Sequence, residues 1–389
     1  MRIGLIAPPW FRIPPTGYGG TERVVDGLAS ELTRRGHDVT TFAAPGSTVP
    51  GRVVSPLGAV PPAEALGDVA IDVAHALGAY RQLQDFDVVH DHSGFIGPAL
   101  AAVMPERPPV VHTLHGPWTD TTRDVYGRMS DRVHLVAISA AQAAANSSIP
   151  YAGVVHNGLA AEHFPLRRDK EPRLVWVGRA NPDKGLPAAI EAARLVGMPI
   201  SVLVKVNEPA ERAYWDEVVT DLLDDDVEVV FNAGHDVKVD RVGRATALLL
   251  PLQWEEPFGL VMIEALACGT PVVAFDRGSA REIVAHAETG FVVDPATGVE
   301  GIAAAAADAR HLDPGACRAR FESHFTTERM VDGYERIYRR VREHRAEPSP
   351  RRAAIPHTGR HLAPTRVPAG AGGLSVPRDR GAQAVARPA

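Results

Sequence analysis

The stretch Trp254–Ala274, WEEPFGLVMIEALACGTPVVA, decides how the chain is read. Pro257 has no backbone N–H to give, so it suits the mouth of a helix rather than its interior. Gly259 lets the backbone come close to a bound group. Leu260, Ile263 and Leu266 recur at helical spacing and should face a core. Gly269 sits where a helix ends, and Pro271 forbids its continuation. Val272, Val273 and Ala274 then read as a buried strand. The pattern predicts turn, helix, turn, strand.

The first free N–H groups of that helix, expected near Phe258 and Gly259, form an anion site. Glu256 stands at the mouth, and Glu264 lies eight residues further on, inside the helix. Taken alone, the two glutamates could be a dipole-favoured carboxylate and a solvated surface residue. Beside an anion site, they suit a ligand carrying both phosphate and hydroxyls, as a nucleotide sugar does.

Working outward, short apolar runs alternate with helical patterns on both sides, which predicts parallel sheets. Ile3–Ala7 is the first strand. It enters a stiff proline loop and then Gly17, Gly19 and Gly20, with Thr21 placed to cap a helix reaching about Arg35. Strand, glycine loop and helix form a phosphate-binding pattern. The glycines alone leave a flexible turn equally open. His115 falls just beyond the strand Val110–Thr113, at the end of an open sheet where ligands bind. His90 and His92 share a strand face, but no third metal ligand accompanies them; they read as strand-end residues lining a cleft. Residues 165–172 read as a charged, proline-flanked linker. After the strand Leu174–Val177 come Arg179 and Lys184, two cations on one loop that could clamp a diphosphate. Gly278 and Ser279 should open another helix facing the phosphates. Two Asp-x-Asp triplets, at Asp85–Asp87 and Asp224–Asp226, precede strands and read as solvated turns. Residues 313–345 read as helical, with an apolar stripe of Phe325, Met330, Tyr334, Ile337 and Tyr338.

The bulk numbers fit this picture. At 389 residues two full cores are expected. A net charge of −6 argues against nucleic acid as a general partner. Cys268 and Cys317 stand far apart without metal spacing, as reduced thiols of a cytoplasmic protein would. The apolar run in MRIGLIAPPW is too short for a signal peptide, and no run reaches the length of a membrane span. From about Glu347 the chain is rich in Pro, Arg, Ala and Gly and should be disordered. Its arginines leave transient contact with anionic surfaces open, including peripheral contact with a membrane.

The central stretch has a glutamate, seven residues and a second glutamate. Pro-Phe-Gly follows the first and Gly-Thr-Pro-Val-Val the second. It resembles the signature of family 4 retaining glycosyltransferases, and the resemblance extends over roughly residues 2–340. It implies an α/β fold of GT-B architecture, with two Rossmann-like domains whose parallel sheets face across a cleft. Residues 1–164 would bind the acceptor and 165–325 the nucleotide sugar; 326–346 would be a helix crossing back onto the first domain, and 347–389 a tail. The resemblance implies donor contacts from Arg179, Lys184, Pro257, Phe258, Gly259, Leu260 and Glu264, with Glu264 on the ribose. It implies that Glu256 and His115 act at the sugar, and that Gly19 and Gly20 form the loop facing phosphates and acceptor. Asn157-Gly158, Glu282 and the turn Thr289-Gly290-Phe291 also match. The expected chemistry is hexosyl transfer to an acceptor hydroxyl with no cofactor and no metal. Two alternatives share parts of the pattern. A nucleotide-sugar epimerase of the same fold would need no acceptor. A dinucleotide-binding oxidoreductase or non-catalytic sensor would need a Gly-x-Gly-x-x-Gly that the chain lacks.

Overall fold

The computed structural model describes residues 1–15, 17, 19–104 and 107–346, and the expected disordered tail lies outside the described residues. Two all-parallel sheets are built in sequence. The first contains β1 (Arg2–Ile6), β2 (Asp38–Phe42), β3 (Arg52–Val54), β4 (Val88–Asp91), β5 (Val110–Leu114), β6 (His134–Ala137) and β7 (Gly153–Val154), in the order β3-β2-β1-β4-β5-β6-β7. The second contains β8 (Glu171–Arg179), β9 (Ile200–Lys205), β10 (Val227–Phe231), β11 (Ala245–Leu250), β12 (Val272–Phe275) and β13 (Gly290–Val293), in the order β10-β9-β8-β11-β12-β13. In each sheet the chain runs outward from the first strand, then returns to its other side. That doubly wound order leaves a crevice beside the first strand, at its C-terminal end.

The strands are apolar along their length because helices cover both faces of each sheet. Ile3, Leu5 and Ile6 of β1 are fully buried, as are Leu248 and Leu249 of β11. Residues expected to form the linker contribute to the second sheet: β8 starts at Glu171, pairing with Ala245 of β11. The linker is therefore shorter than 165–172. The first helix is Gly20–Arg34, with Gly19 rather than Thr21 at its N-cap and no side-chain cap bond. Gly19 has φ 151°, a backbone region that favours glycine and moves the cap two residues earlier.

The expected continuous helix over 313–345 is two helices, Pro314–His324 and Thr327–Ala346, with the break at Phe325. Phe325 is buried in the second domain's core, whereas Met330, Tyr334 and Tyr338 lie in the first domain's core. The closing helix thus packs on the first helix. Arg35 pairs with Asp332 at 2.8 Å, and His37 meets Glu335 at 2.7 Å. The chain passes between the sheets at neighbouring points, since Leu159 bridges to Thr326. His90 serves this join rather than the cleft. Its Nδ1 shares a 2.6 Å hydrogen bond with the Tyr338 hydroxyl, and its Nε2 a 2.7 Å bond with Thr113 Oγ1. Among the described residues no helix is long and apolar enough to cross a membrane. Both cysteines are buried and free.

Candidate active site

A cavity of about 770 Å³ opens where the crevices of the two sheets meet. The eleven candidates all line it: Gly19, Gly20, His115, Arg179, Lys184, Glu256, Pro257, Phe258, Gly259, Leu260 and Glu264. Residues that follow β1 form one wall, and the ends of β8, β9 and β11 form another. The central stretch supplies the floor.

The floor is positioned by local backbone chemistry. The signature helix is Leu260–Ala267, beginning later than the proline suggested. Gly259 takes φ 75° at its N-cap, so Pro257, Phe258 and Gly259 form the approach turn, and the first-turn positions are Leu260 and Val261. Those two residues line the cavity, which places the helix's positive end there. Ile263 and Leu266 are fully buried beneath. Gly269, at φ 77°, ends the helix, with the Thr270 N–H donating to Ala265 O at 2.8 Å. Leu260 faces the other domain: a side-chain carbon on Gly20 would sit 3.1 Å from Leu260 Cδ1. The glycine loop and the signature helix are in contact because Gly20 has no side chain.

The second expected helix mouth is not available to a ligand. Gly278 donates to Glu255 at 2.6 Å, Ser279 N–H to Glu256 O at 3.1 Å, and Ala280 N–H to Arg277 O at 3.3 Å. The Ser279 hydroxyl donates to Phe258 O at 2.6 Å, buttressing the approach turn. Glu282 has a comparable structural task. Its carboxylate accepts from the N–H groups of Ala140 and Ala141 at 2.8 and 2.7 Å and meets His156 Nε2 at 2.9 Å, joining the two domains. Burial works against its charge, but those bonds outweigh it and hold the carboxyl below its usual range.

The cations expected to clamp a diphosphate are engaged with carboxylates. Lys184 Nζ donates to Glu256 Oε2 at 2.7 Å and lies 4.2 Å from the centre of the Trp254 ring. Arg179 reaches Glu211 at 3.7 Å and Glu208 at 3.9 Å. Glu264 is gripped by Lys238 at 2.5 Å, and Lys205 lies 3.7 Å from Glu211. Lys205, Lys238 and Trp254 belong to the cavity wall and were missed by sequence reading. No local motif announces them; Lys238 lies on a different helix, His235–Arg244, from the glutamate it pairs with. The wall carries five cationic side chains (Arg23, Arg179, Lys184, Lys205 and Lys238) against three carboxylates (Glu22, Glu256 and Glu264), while Glu208 and Glu211 just behind it share Arg179 and Lys205, so the excess of positive charge is small. One of the three carboxylates is charged only with difficulty: burial pushes the Glu22 carboxyl up to about 7, against one backbone hydrogen bond.

His115 sits immediately after β5. Its Nε2 shares a 2.8 Å hydrogen bond with His92 Nδ1. Burial, with the neighbouring His112, pushes its pKa down to about 3, so the ring is neutral at physiological pH. A neutral imidazole can polarise or accept from a substrate hydroxyl without adding charge. The aspartate triplets are elsewhere: Asp87 accepts from Arg2 N–H at 2.8 Å, and Asp224 pairs with Arg194 at 2.6 Å. Among the described residues, no three His, Cys, Asp or Glu side chains are grouped as metal ligands.

Comparison with known proteins fits this geometry. The sequence profile "Glycosyl transferases group 1" matches residues 160–321, and "Glycosyltransferase Family 4" matches residues 18–163. A phosphatidyl-myo-inositol mannosyltransferase from Propionibacterium freudenreichii is 31% identical over 312 residues, covering 70% of this chain and 77% of the relative. The chain belongs to glycosyltransferase family 4. Among solved structures, AviGT4, a glycosyltransferase involved in avilamycin A biosynthesis, superposes with a TM-score of 0.70 at 26% identity, covering 88% of this chain and 98% of its own. Anabaena HepE, solved with UDP-glucose, shares the fold with a TM-score of 0.65 at 19% identity, covering 88% and 100%. The architecture is therefore the GT-B fold of this glycosyltransferase family.

Proposed function

We propose that the cavity binds a nucleoside diphosphate sugar and transfers the sugar to an acceptor hydroxyl with retention of anomeric configuration, without a metal ion. The observation carrying this reading is the joint lining of one cationic cavity by both glutamates of the signature, the Arg179–Lys184 loop, His115 and the glycine loop. Glu264, held by Lys238, accepts from the ribose hydroxyls. The diphosphate takes charged hydrogen bonds from Arg179 and Lys184, aided by the N-terminal turn at Leu260 and Val261. An ammonium has three donors, so Lys184 can hold Glu256 and a phosphate oxygen together. Glu256 and His115 orient the sugar, and Gly19 and Gly20 let phosphate and acceptor approach the backbone.

Positive charge around the leaving diphosphate stabilises it as the glycosyl bond breaks, which is electrostatic catalysis. The acceptor oxygen bonds to the anomeric carbon on the face the diphosphate leaves, and a departing phosphate oxygen takes the acceptor's proton. This route needs no enzyme nucleophile. It accords with the state of the carboxylates, because Glu256 and Glu264 are each ion-paired with a lysine. UDP is the first nucleotide to test, because HepE, a neighbour in fold, was solved with UDP-glucose. A thermal-shift screen of UDP, GDP and ADP with their sugars should give stabilisation by one base series only. Turnover in EDTA should then be retained. No stabilisation by any of them, or sugar isomerisation without transfer, would replace this reading with another.

A further inference from the structure

Two neighbouring strands of the second sheet end in a cation at the same level. Arg179 closes β8 and Lys205 closes β9, and the two residues are register partners in this parallel pair. Adjacent strands lie about 4.8 Å apart and register partners share a face, so the two side chains leave the sheet edge together. Like charges side by side on a sheet repel. Both residues line the large cavity, and Lys205 is only 7% exposed, so water screens its charge poorly.

Behind them stands a buried carboxylate that the proposed chemistry leaves unused. Glu211 is 3% exposed and is not part of the cavity wall. Its Oε2 accepts from the backbone N–H groups of Asn207 and Glu208, at 2.8 and 3.1 Å, where the helix Pro209–Tyr214 begins. Those two bonds anchor the side chain. The other oxygen has a different setting. Among the described residues Oε1 takes no hydrogen bond, and it lies 3.7 Å from Arg179 and 3.7 Å from Lys205. A glutamate that only capped the helix would not need a second oxygen buried against two cations. Glu208 also reaches both cations, at 3.9 and 3.5 Å, but its side chain is 41% exposed and screened by water.

We propose that Glu211 is a positioning residue for the donor: its anchored carboxylate holds Lys205 beside Arg179, and Lys205 then grips the diphosphate together with Arg179 and Lys184. A carboxylate equally far from both cations offsets the repulsion between them. An ammonium has three donors, so Lys205 can meet Glu208 and a phosphate oxygen together. A buried cation deprived of its buried counter-charge is costly, so without the Glu211 charge the lysine leaves its place in the wall. The effect runs mainly through Lys205, because the Arg179 side chain is 32% exposed and water screens it better. The proposal rests on reading the large cavity as the donor site.

The test is calorimetric titration of the full chain with the best-binding diphosphate among UDP, GDP and ADP, and with its nucleoside. Wild type, Glu211→Gln, Lys205→Met and the double variant are compared. Glutamine keeps an acceptor for the two N–H groups, as a capping box allows, and removes the charge. Lys205→Met should weaken diphosphate binding about tenfold or more, and Glu211→Gln about fivefold to tenfold. The double variant should bind the diphosphate within about twofold of Lys205→Met alone, because the glutamate acts through the lysine. Nucleoside affinity should stay within about twofold throughout. Glu208→Gln should change diphosphate affinity by less than about twofold, since that carboxylate is screened. Tighter diphosphate binding in Glu211→Gln would make Glu211 a competitor of the phosphate and overturn the proposal. So would losses that multiply in the double variant, an effect of Glu208→Gln as large as that of Glu211→Gln, or equal weakening of nucleoside and diphosphate, which marks a collapsed pocket. Failure of the wild type to bind any of the three diphosphates would instead overturn the donor reading.

Discussion

Lys184 offers the sharpest perturbation, because the structure gives it two separable jobs. It neutralises Glu256 at 2.7 Å, and it faces the cavity where the diphosphate is proposed to sit. Lys184→Met removes the charge and keeps most of the stem over Trp254. The stability effect comes from stranding Glu256. Breaking a fully buried pair by removing one partner costs about 3–5 kcal/mol. The two side chains here keep 17% and 14% of their exposure, so water takes up part of the loss. About 1–2 kcal/mol is the expectation after that screening. The binding effect is a lost charged hydrogen bond to phosphate, about 1.5–3 kcal/mol, or roughly tenfold to a hundredfold in Kd. The double variant Lys184→Met/Glu256→Gln separates the jobs. It should recover most of the stability, because no carboxylate is stranded, and none of the diphosphate affinity. Thermal denaturation measures the first quantity. Calorimetric titration with the best-binding diphosphate among UDP, GDP and ADP, and with its nucleoside, measures the second. Nucleoside affinity should stay constant throughout. If the double variant regains diphosphate affinity, or if nucleoside and diphosphate weaken equally, Lys184 acts by shaping the pocket and the clamp is wrong.

Three further outcomes are expected. Glu264→Ala should weaken nucleotide binding roughly tenfold to a hundredfold and abolish the preference for the ribonucleotide over its 2′,3′-dideoxy analogue; an intact preference in calorimetry would remove Glu264 from the ribose. Glu22 is held at about 7 in the fold against an ordinary 4.5, so the unfolded chain releases its proton first, and folding stability from this group declines as pH rises from about 4.5 to about 7. Glu22→Gln escapes that penalty, so the unfolding free-energy advantage of the variant should grow across that window towards on the order of 3 kcal/mol and then level off; a pH-independent difference would contradict the assignment. Gly278→Ala places a carbon 2.1 Å from the Glu256 carbonyl oxygen at φ 55°, so backbone must move. It should cost about 3 kcal/mol, lowering Tm by several degrees and impairing turnover, and a wild-type Tm would show that the loop yields freely.

Much of the fold was readable because its signals are local. Apolar runs gave the strands, Gly269 and Pro271 gave the end of the signature helix, and Ser139, a residue type that suits an N-cap, caps the helix Ala140–Ala145, accepting from Gln142 N–H at 3.0 Å. The start of the signature helix was misplaced because a proline is tolerated equally well in a turn. Only the φ of Gly259 shows where the helix begins. Thr21 failed as a cap for a related reason: Gly19 could adopt the required backbone without a side-chain acceptor. The candidate residues were readable as a set that lines one cavity, and their pairings with one another were not. Lys184 to Glu256 and Lys238 to Glu264 are pairings between separate elements, and charge alone on a chain does not say which opposite charge it will meet. The tandem histidines show the same limit. His90 turned to the closing helix and His92 to His115, a division set by residues from Thr113 to Tyr338.

If the cavity by itself releases the diphosphate and directs attack to the same face of the sugar, transfer needs no metal and keeps the anomeric configuration. Proton NMR of the first turnover tests it directly. The enzyme is given its α-linked nucleotide sugar and an acceptor in EDTA, and the anomeric proton of the product is followed. Retaining, metal-free transfer gives turnover that EDTA leaves unchanged and an α-linked product. A β-linked product, or turnover that stops in EDTA and returns with a divalent cation, would contradict it.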